Sequence, residues 1–208
     1  MLLCGDLRQR LTLYHSQYTR VSHTRLALRF PFTELRRRDM ATYELIETIT
    51  LGSNAASVTF SDIPQTYTDL KMVCSARLAG TGVPSVRIRF NSDSGTNYSN
   101  TYIEGSGSSV SSGKSTGNTN IQIGNLNTAS STANTFTSIE VYFPNYSGLS
   151  YKSTSSISAM ETNAATAYIN PIGGLWNSTS AITAIEIIYP GSNFVTNSSF
   201  SLYGIKKA

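Results

Sequence analysis

From residue 40 onward, apolar and polar side chains alternate with a period of two, and Gly, Asn, Ser and Pro interrupt the pattern at short intervals. Residues 70–78 make the pattern plainest. Leu70, Met72, Cys74, Ala76 and Leu78 share one parity, and Lys71, Ser75 and Arg77 share the other. Successive side chains of an extended chain point to opposite faces, so the first set faces a core and the second faces water. Val86, Ile88 and Phe90 repeat the pattern with Arg87 and Arg89 outward, as do Ile139, Val141 and Phe143 with Ser138, Glu140 and Tyr142 outward. Further strands are expected at 43–51, 56–61, 99–104, 119–124, 152–160, 165–170, 182–189 and 199–205.

Some eleven short strands with Gly- and Asn-rich turns predict an all-β fold, an antiparallel β-sandwich that is jelly-roll-like. A parallel α/β fold is excluded, because nothing between the strands reads as a helical crossover. No internal repeat points to a propeller or solenoid. Residues 105–120 are almost wholly Gly, Ser, Thr and Asn, with Val110 the only apolar residue, and predict a long exposed loop.

The first 39 residues break this pattern. They hold eight Arg, no Lys, no Asn, both His residues (His15 and His23) and three acids, a net charge of +5. The remainder holds eight basic and nine acidic residues, a net of −1, so the basic character of the chain belongs to its front. Arg8, Arg10, Arg20, Arg25 and Arg29 interrupt every apolar stretch that a signal peptide would need. Leu7, Leu11, Tyr14, Tyr18 and Val21 fall at helical spacing, so the extension is expected to be poorly ordered or a short amphipathic helix. A nucleic-acid arm and an organelle transit segment share this Arg-rich, acid-poor composition.

Two successive AGG codons encode Arg-Arg and also spell a bacterial ribosome-binding sequence, so Arg36-Arg37 just ahead of Met40-Ala41-Thr42 leads us to expect the natural start at Met40. Residues 1–39 are then a basic N-terminal extension outside the native protein, and residues 40–208 are the sandwich domain. Deleting residues 1–39 is accordingly expected to leave solubility and melting temperature unchanged, and a collapse in either shows the extension to be integral.

Composition narrows the function classes. Of 208 residues only 13% are charged, about half the usual share of roughly 25%. Aromatics at 10% argue against disorder, and no apolar run approaches the ~18 residues of a membrane-spanning helix. Cys4 and Cys74 are too few for a disulfide scaffold or a Cys-based zinc site, and Cys74 has the parity of a small core residue. After Met40 there is no His for a Ser-His or Cys-His nucleophile, and no phosphate-cradling Gly-rich loop followed by Lys and Ser or Thr. A glycosidase pair would have to come from acids such as Glu47, Glu140 and Glu186, which read as solvent-facing strand residues. No catalytic residue, cofactor or metal is therefore expected, and no nucleic acid or membrane as partner.

Three features stand out as candidate surfaces. The loop Asn91-Ser92-Asp93-Ser94-Gly95-Thr96-Asn97-Tyr98 carries alternating oxygen ligands but a single carboxylate, so a hairpin turn fits it better than a calcium site. Arg77, Arg87, Arg89 and Lys71 could share one outer face, where pairing with neighbouring acids fits a body of net −1 better than phosphate binding. Trp176, and Tyr98 beside Asn97 and Asp93, are candidate surface-recognition residues for a sugar, with partial core burial the competing role for Trp176.

Several stretches carry a family likeness. Tyr43-Glu44-Leu45-Ile46-Glu47-Thr48-Ile49, Arg89-Phe90-Asn91-Ser92-Asp93-Ser94-Gly95-Thr96-Asn97-Tyr98-Ser99, Phe143-Pro144-Asn145-Tyr146-Ser147-Gly148 and Ser201-Leu202-Tyr203-Gly204-Ile205-Lys206 are among them. They resemble small β-rich virion proteins of tailed bacteriophages, over about residues 40–208. The resemblance implies a non-enzymatic capsid-decoration or tail-fibre component, assembled in the host cytoplasm and located in the virion. Its partners are then other virion proteins. Exposed sheet edges need covering and a closed oligomer does so, so a homotrimer is expected. A carbohydrate-binding module in a receptor-binding tip, contacting a host surface glycan, is the alternative. The family's motifs are structural, and no catalytic residue is carried over from them.

Overall fold

The computed structural model describes residues 41–206, so the expectations for residues 1–39 lie outside the described residues. Twelve strands follow one another without an intervening helix: β1 (Thr42–Thr50), β2 (Ser57–Phe60), β3 (Asp69–Ala76), β4 (Ser85–Phe90), β5 (Tyr98–Gly105), β6 (Val110–Asn118), β7 (Ile121–Asn125), β8 (Thr137–Phe143), β9 (Lys152–Met160), β10 (Tyr168–Trp176), β11 (Ile185–Ile188) and β12 (Ser199–Lys206). They form two antiparallel sheets, an eight-stranded one in the order β1-β12-β3-β8-β9-β10-β5-β6 and a four-stranded one in the order β2-β11-β4-β7.

Setting aside β5, β6, β9 and β10 leaves β1-β12-β3-β8 facing β2-β11-β4-β7. In that set the chain changes sheet at every step except β4 to β7, which is the jelly-roll path. The four remaining strands arrive as two hairpins, β5–β6 and β9–β10, and lie side by side as one extension of the long sheet.

The faces follow the alternation read from sequence in the strands of the jelly roll. Leu70, Met72, Cys74, Ala76 and Leu78 are buried, as are Val86, Ile88 and Phe90 in the short sheet and Ile139, Val141 and Phe143 in the long one. Burial in this apolar layer pushes the Cys74 thiol up to about 12, so it stays a protonated core residue.

Three expectations are corrected. Residues 105–120 are mostly strand: 106–109 form the turn between β5 and β6, 119–120 the bend into β7, and β6 pairs with β5 from Gly105↔Val110 to Tyr98↔Asn118. As the outermost strand, β6 has no inward apolar face, so its composition reads as loop although backbone hydrogen bonds hold it. The strand expected at 165–170 begins at Tyr168 and runs through Pro171 and Gly173-Gly174 to Trp176. Proline is tolerated there because the ladder to β5 passes from Ile169↔Gly105 to Ile172↔Tyr102 without pairs at the two residues between.

The third correction concerns the basic stripe. β3 and β4 lie in different sheets, so Lys71 and Arg77 do not share a face with Arg87 and Arg89. Lys71 pairs with Glu140 at 2.7 Å and Arg89 with Glu186 at 3.3 Å, the acid pairing expected for that stripe. Arg77 instead is buried and donates to the carbonyls of Ser131, Thr132 and Thr135, closing that turn.

The extension strands invert the usual patterning. In β9 the inward residues are Lys152, Thr154, Ser156, Ser158 and Met160, while Ile157 and Ala159 face out. Asn170 and Asn100 are likewise inside, and Ile169, Pro171 and Ile103 outside. A polar seam takes the place of apolar packing here. Glu104 Oε2 accepts from Asn125 Nδ2 at 2.7 Å and from Asn170 Nδ2 at 2.9 Å, and Ser158 Oγ donates to Asn170 Oδ1. Gly124, at φ +151°, lets β7 approach this seam, since a Cβ there would lie 2.3 Å from Ser158 Cβ. Lys152 ends the inward row with its ammonium donating to the carbonyls of Gly148 and Ser150, and desolvation pulls its pKa below the usual lysine value.

Candidate functional site

The four residues singled out for recognition do come together, at one end of the sandwich, because the register sets Trp176 opposite Tyr98. Their rings stack at 6.2 Å and 13°, and both pack on Phe90. The loop that crosses from β4 in the short sheet to β5 in the long one folds over them. Asp93 Oδ2 accepts from Asn97 Nδ2 at 2.9 Å and from Trp176 Nε1 at 2.7 Å, while Oδ1 accepts from the Gly95 N–H. The Asn97 and Trp176 donors, with Gly95 behind them, hold the Asp93 carboxyl below its ordinary pKa.

This geometry belongs to a structural clamp. Trp176 is 2% exposed and Tyr98 1%, so neither ring offers a face to a sugar, and the competing core role of Trp176 is the one it takes. The Asp93 oxygens are occupied by protein donors, and the loop expected as a hairpin turn instead crosses between the sheets, since β4 pairs with β11 and β7 and β5 with β10 and β6. Among the described residues no group of three or more His, Cys, Asp or Glu could hold a metal ion.

The three acids weighed for catalysis do not converge. Glu47 lies on β1, Glu140 on β8 and Glu186 on β11, and the last two are engaged with Lys71 and Arg89.

A different site emerges where β6 passes into β7. There the extension of the long sheet overhangs the edge of the short one and leaves a cleft of about 500 Å³. Asn100 and Tyr102 line it from the inward side of β5, Arg87 and Gln122 from the outer side of the short sheet, and Lys114 and Asn118 from β6. Arg87 and Gln122 lie beside one another because they are cross-strand partners. Asn118 Nδ2 donates to Asn100 Oδ1 at 3.2 Å and its own Oδ1 accepts from Ser115, which fixes both amides.

Tyr102 is placed by its cross-strand neighbour, Gly113. A Cβ at Gly113 would come within 2.7 Å of the Tyr102 hydroxyl and 2.8 Å of Cζ, so the ring lies across the glycine and only the missing side chain admits it.

The electrostatics of the cleft are one-sided. No carboxylate lines it, and neither Arg87 nor Lys114 takes part in the three ion pairs among the described residues. One half-buried cation, Arg87, several amides that each donate and accept, and one aromatic ring can hold a polar ligand with a negative group. Sequence reasoning missed this site because its residues come from β4, β5, β6 and β7, and no local motif links them. The one sequence signal is Gly113 within a run that pairs with an aromatic-bearing strand.

No family model, curated protein or solved structure matches the chain.

Proposed function

We propose that this chain is a non-enzymatic structural protein of a bacteriophage virion, a capsid-decoration or tail-fibre component that works through surface contact, in the first place with copies of itself. The observation that carries this reading is the outer face of the long-sheet extension. Ile157 is 47% exposed, Ile169 51% and Ile103 51%, and Pro171 and Ala159 lie among them. The register sets Pro171 against Ile157, Ile169 against Ala159 and Gly105, and Gly105 against Val110, so these residues form one apolar band across four strands.

An apolar band outside and a polar seam inside reverse what an isolated sandwich needs, and the reversal makes sense if the band is covered in an assembly. The occupant that fits is a second copy of this chain. The band itself is uncharged, and the charges that border it, Glu140 opposite Ile157 and Lys114 in the row of Val110, are of opposite sign, so it packs against its own likeness without a single-sign repulsion. Repetition on a symmetric particle then multiplies weak contacts. The surrounding Ser and Thr surface varies little with ionic strength.

The test is oligomeric state. Wild-type protein is expected to sediment as a closed oligomer, a homotrimer in our reading. Ile157→Lys with Ile169→Lys is expected to yield monomer with an unchanged melting temperature, because both positions face solvent in the single chain. A monomeric wild type at high concentration overturns the self-contact. Genes for capsid, portal or tail proteins beside this one, and gold-labelled copies on particles, test the virion role itself.

The cleft favours a second reading, a carbohydrate-binding module in a receptor-binding tip. Its test is direct binding to oligosaccharides.

A further inference from the structure

We infer that the cleft between β5, β6 and the edge of the short sheet takes an acidic saccharide, a sugar that carries a carboxylate. This inference rests on the carbohydrate-binding reading and specifies it.

The cation comes first. Arg87 is half-buried at the cleft, makes no ion pair and no side-chain hydrogen bond with any described residue, and meets no carboxylate among the lining residues. A guanidinium offers a planar fork of donors that matches a carboxylate, and left half-buried it awaits such a partner. Of the other cations in the described chain, Lys71, Arg89 and Lys206 are paired, and Arg77 and Lys152 are buried on backbone carbonyls. Lys114, on the edge strand, pairs with Thr101 and so projects from the outer face of the sheet, at the rim of the cleft. One unpaired guanidinium in a recess suits a single acidic group. It does not form the extended stripe that a polyphosphate backbone needs.

The neutral groups specify the rest of the ligand. The side-chain amide of Gln122 and the Nδ2 group of Asn100 make no hydrogen bond with described residues, and both line the cleft. Amides that donate and accept side by side match vicinal hydroxyls, each of which also does both. Tyr102, laid across Gly113, supplies the apolar surface on which the C–H face of a sugar ring rests.

Calorimetry on the full chain tests this with glucuronate-, galacturonate- and sialate-bearing oligosaccharides, their neutral counterparts and inorganic phosphate, all at one ionic strength. At least one acidic oligosaccharide is expected to bind, with its neutral counterpart weaker by about tenfold or more, the loss of one hydrogen-bonded charge contact. Arg87→Met is expected to erase that preference and keep the melting temperature, and the acidic ligand's affinity should fall as salt rises. Gly113→Val, which displaces the Tyr102 ring, is expected to weaken acidic and neutral sugars alike. Equal affinity for neutral and acidic sugars overturns the inference and leaves the carbohydrate reading standing. Binding of phosphate as tightly as the acidic sugars overturns it in favour of a bare anion site. Binding of no saccharide overturns both, while the self-contact stands or falls on sedimentation alone.

Discussion

Trp176→Ala is expected to cost about 3–5 kcal/mol of folding stability, measured by urea denaturation followed by circular dichroism, since the substitution removes the chain's single tryptophan. The ring is 2% exposed, stacks on Tyr98 and lies 5.4 Å from Phe90. Its removal leaves a cavity at the end of the core and strips Asp93 Oδ2 of its indole donor, so the cost belongs at the upper end of that range. Trp176→Phe separates the two contributions: it keeps most of the ring volume and loses the N–H, at roughly 1–3 kcal/mol. A sugar platform on the surface behaves otherwise. A loss below about 1 kcal/mol for the alanine variant would show that the ring does not support the core.

Phe143→Ala is the second large effect, again about 3–5 kcal/mol. Phe143 has no exposed surface and meets Phe90 edge-to-face at 5.9 Å and 79°. Phe90 projects from the short sheet and Phe143 from the long one, so the pair joins the two layers of the sandwich. The neighbouring Tyr142→Ala is the control. Its ring points to the outer face and its hydroxyl donates to Asp69 at 2.8 Å, so the cost is expected to stay below about 1 kcal/mol. Comparable losses for the two variants would mean that the inward assignment of β8 is wrong.

The opposite placements of Phe143 and Ile157 have a common physical origin. Alternation reports which residues share a face, because that depends only on the extended backbone. It reports which face is inside only when burial in the single chain is what selected the apolar residues. For β3, β4 and β8 that condition holds, and the apolar parity is buried. For β9 and β10 the outer parity carries Ile157, Ala159, Ile169 and Pro171, and the inward parity carries Ser158 and Asn170 held by hydrogen bonds to partners distant in sequence. The strand was legible there, and its orientation was not.

Trp176 and Tyr98 show the same limit at the level of a site. Their proximity to Asn97 and Asp93 was legible in part, since Asp93, Asn97 and Tyr98 lie in one short loop. Whether the rings faced sugar or core depended on β10 running past Pro171 into register with β5, which composition argued against. The cleft was less legible still. Arg87 entered the reading as one member of an outer basic row, and the third dimension removed Lys71 and Arg77 from that row and set Gln122, Asn100 and Tyr102 beside it.

By itself, the sequence determined that residues after Met40 form short antiparallel strands, and which side chains in the jelly-roll strands meet in the core. Both are consequences of local backbone geometry and of the free energy of removing apolar area from water. Only the tertiary structure decided which sheet each strand joins, that the polar run at 110–118 is an edge strand, that the extension turns its apolar residues outward, and that a cation-lined cleft opens beside β7. Those features depend on hydrogen bonds and packing between segments far apart in the chain, where many pairings satisfy the same local pattern and the assembled fold selects one.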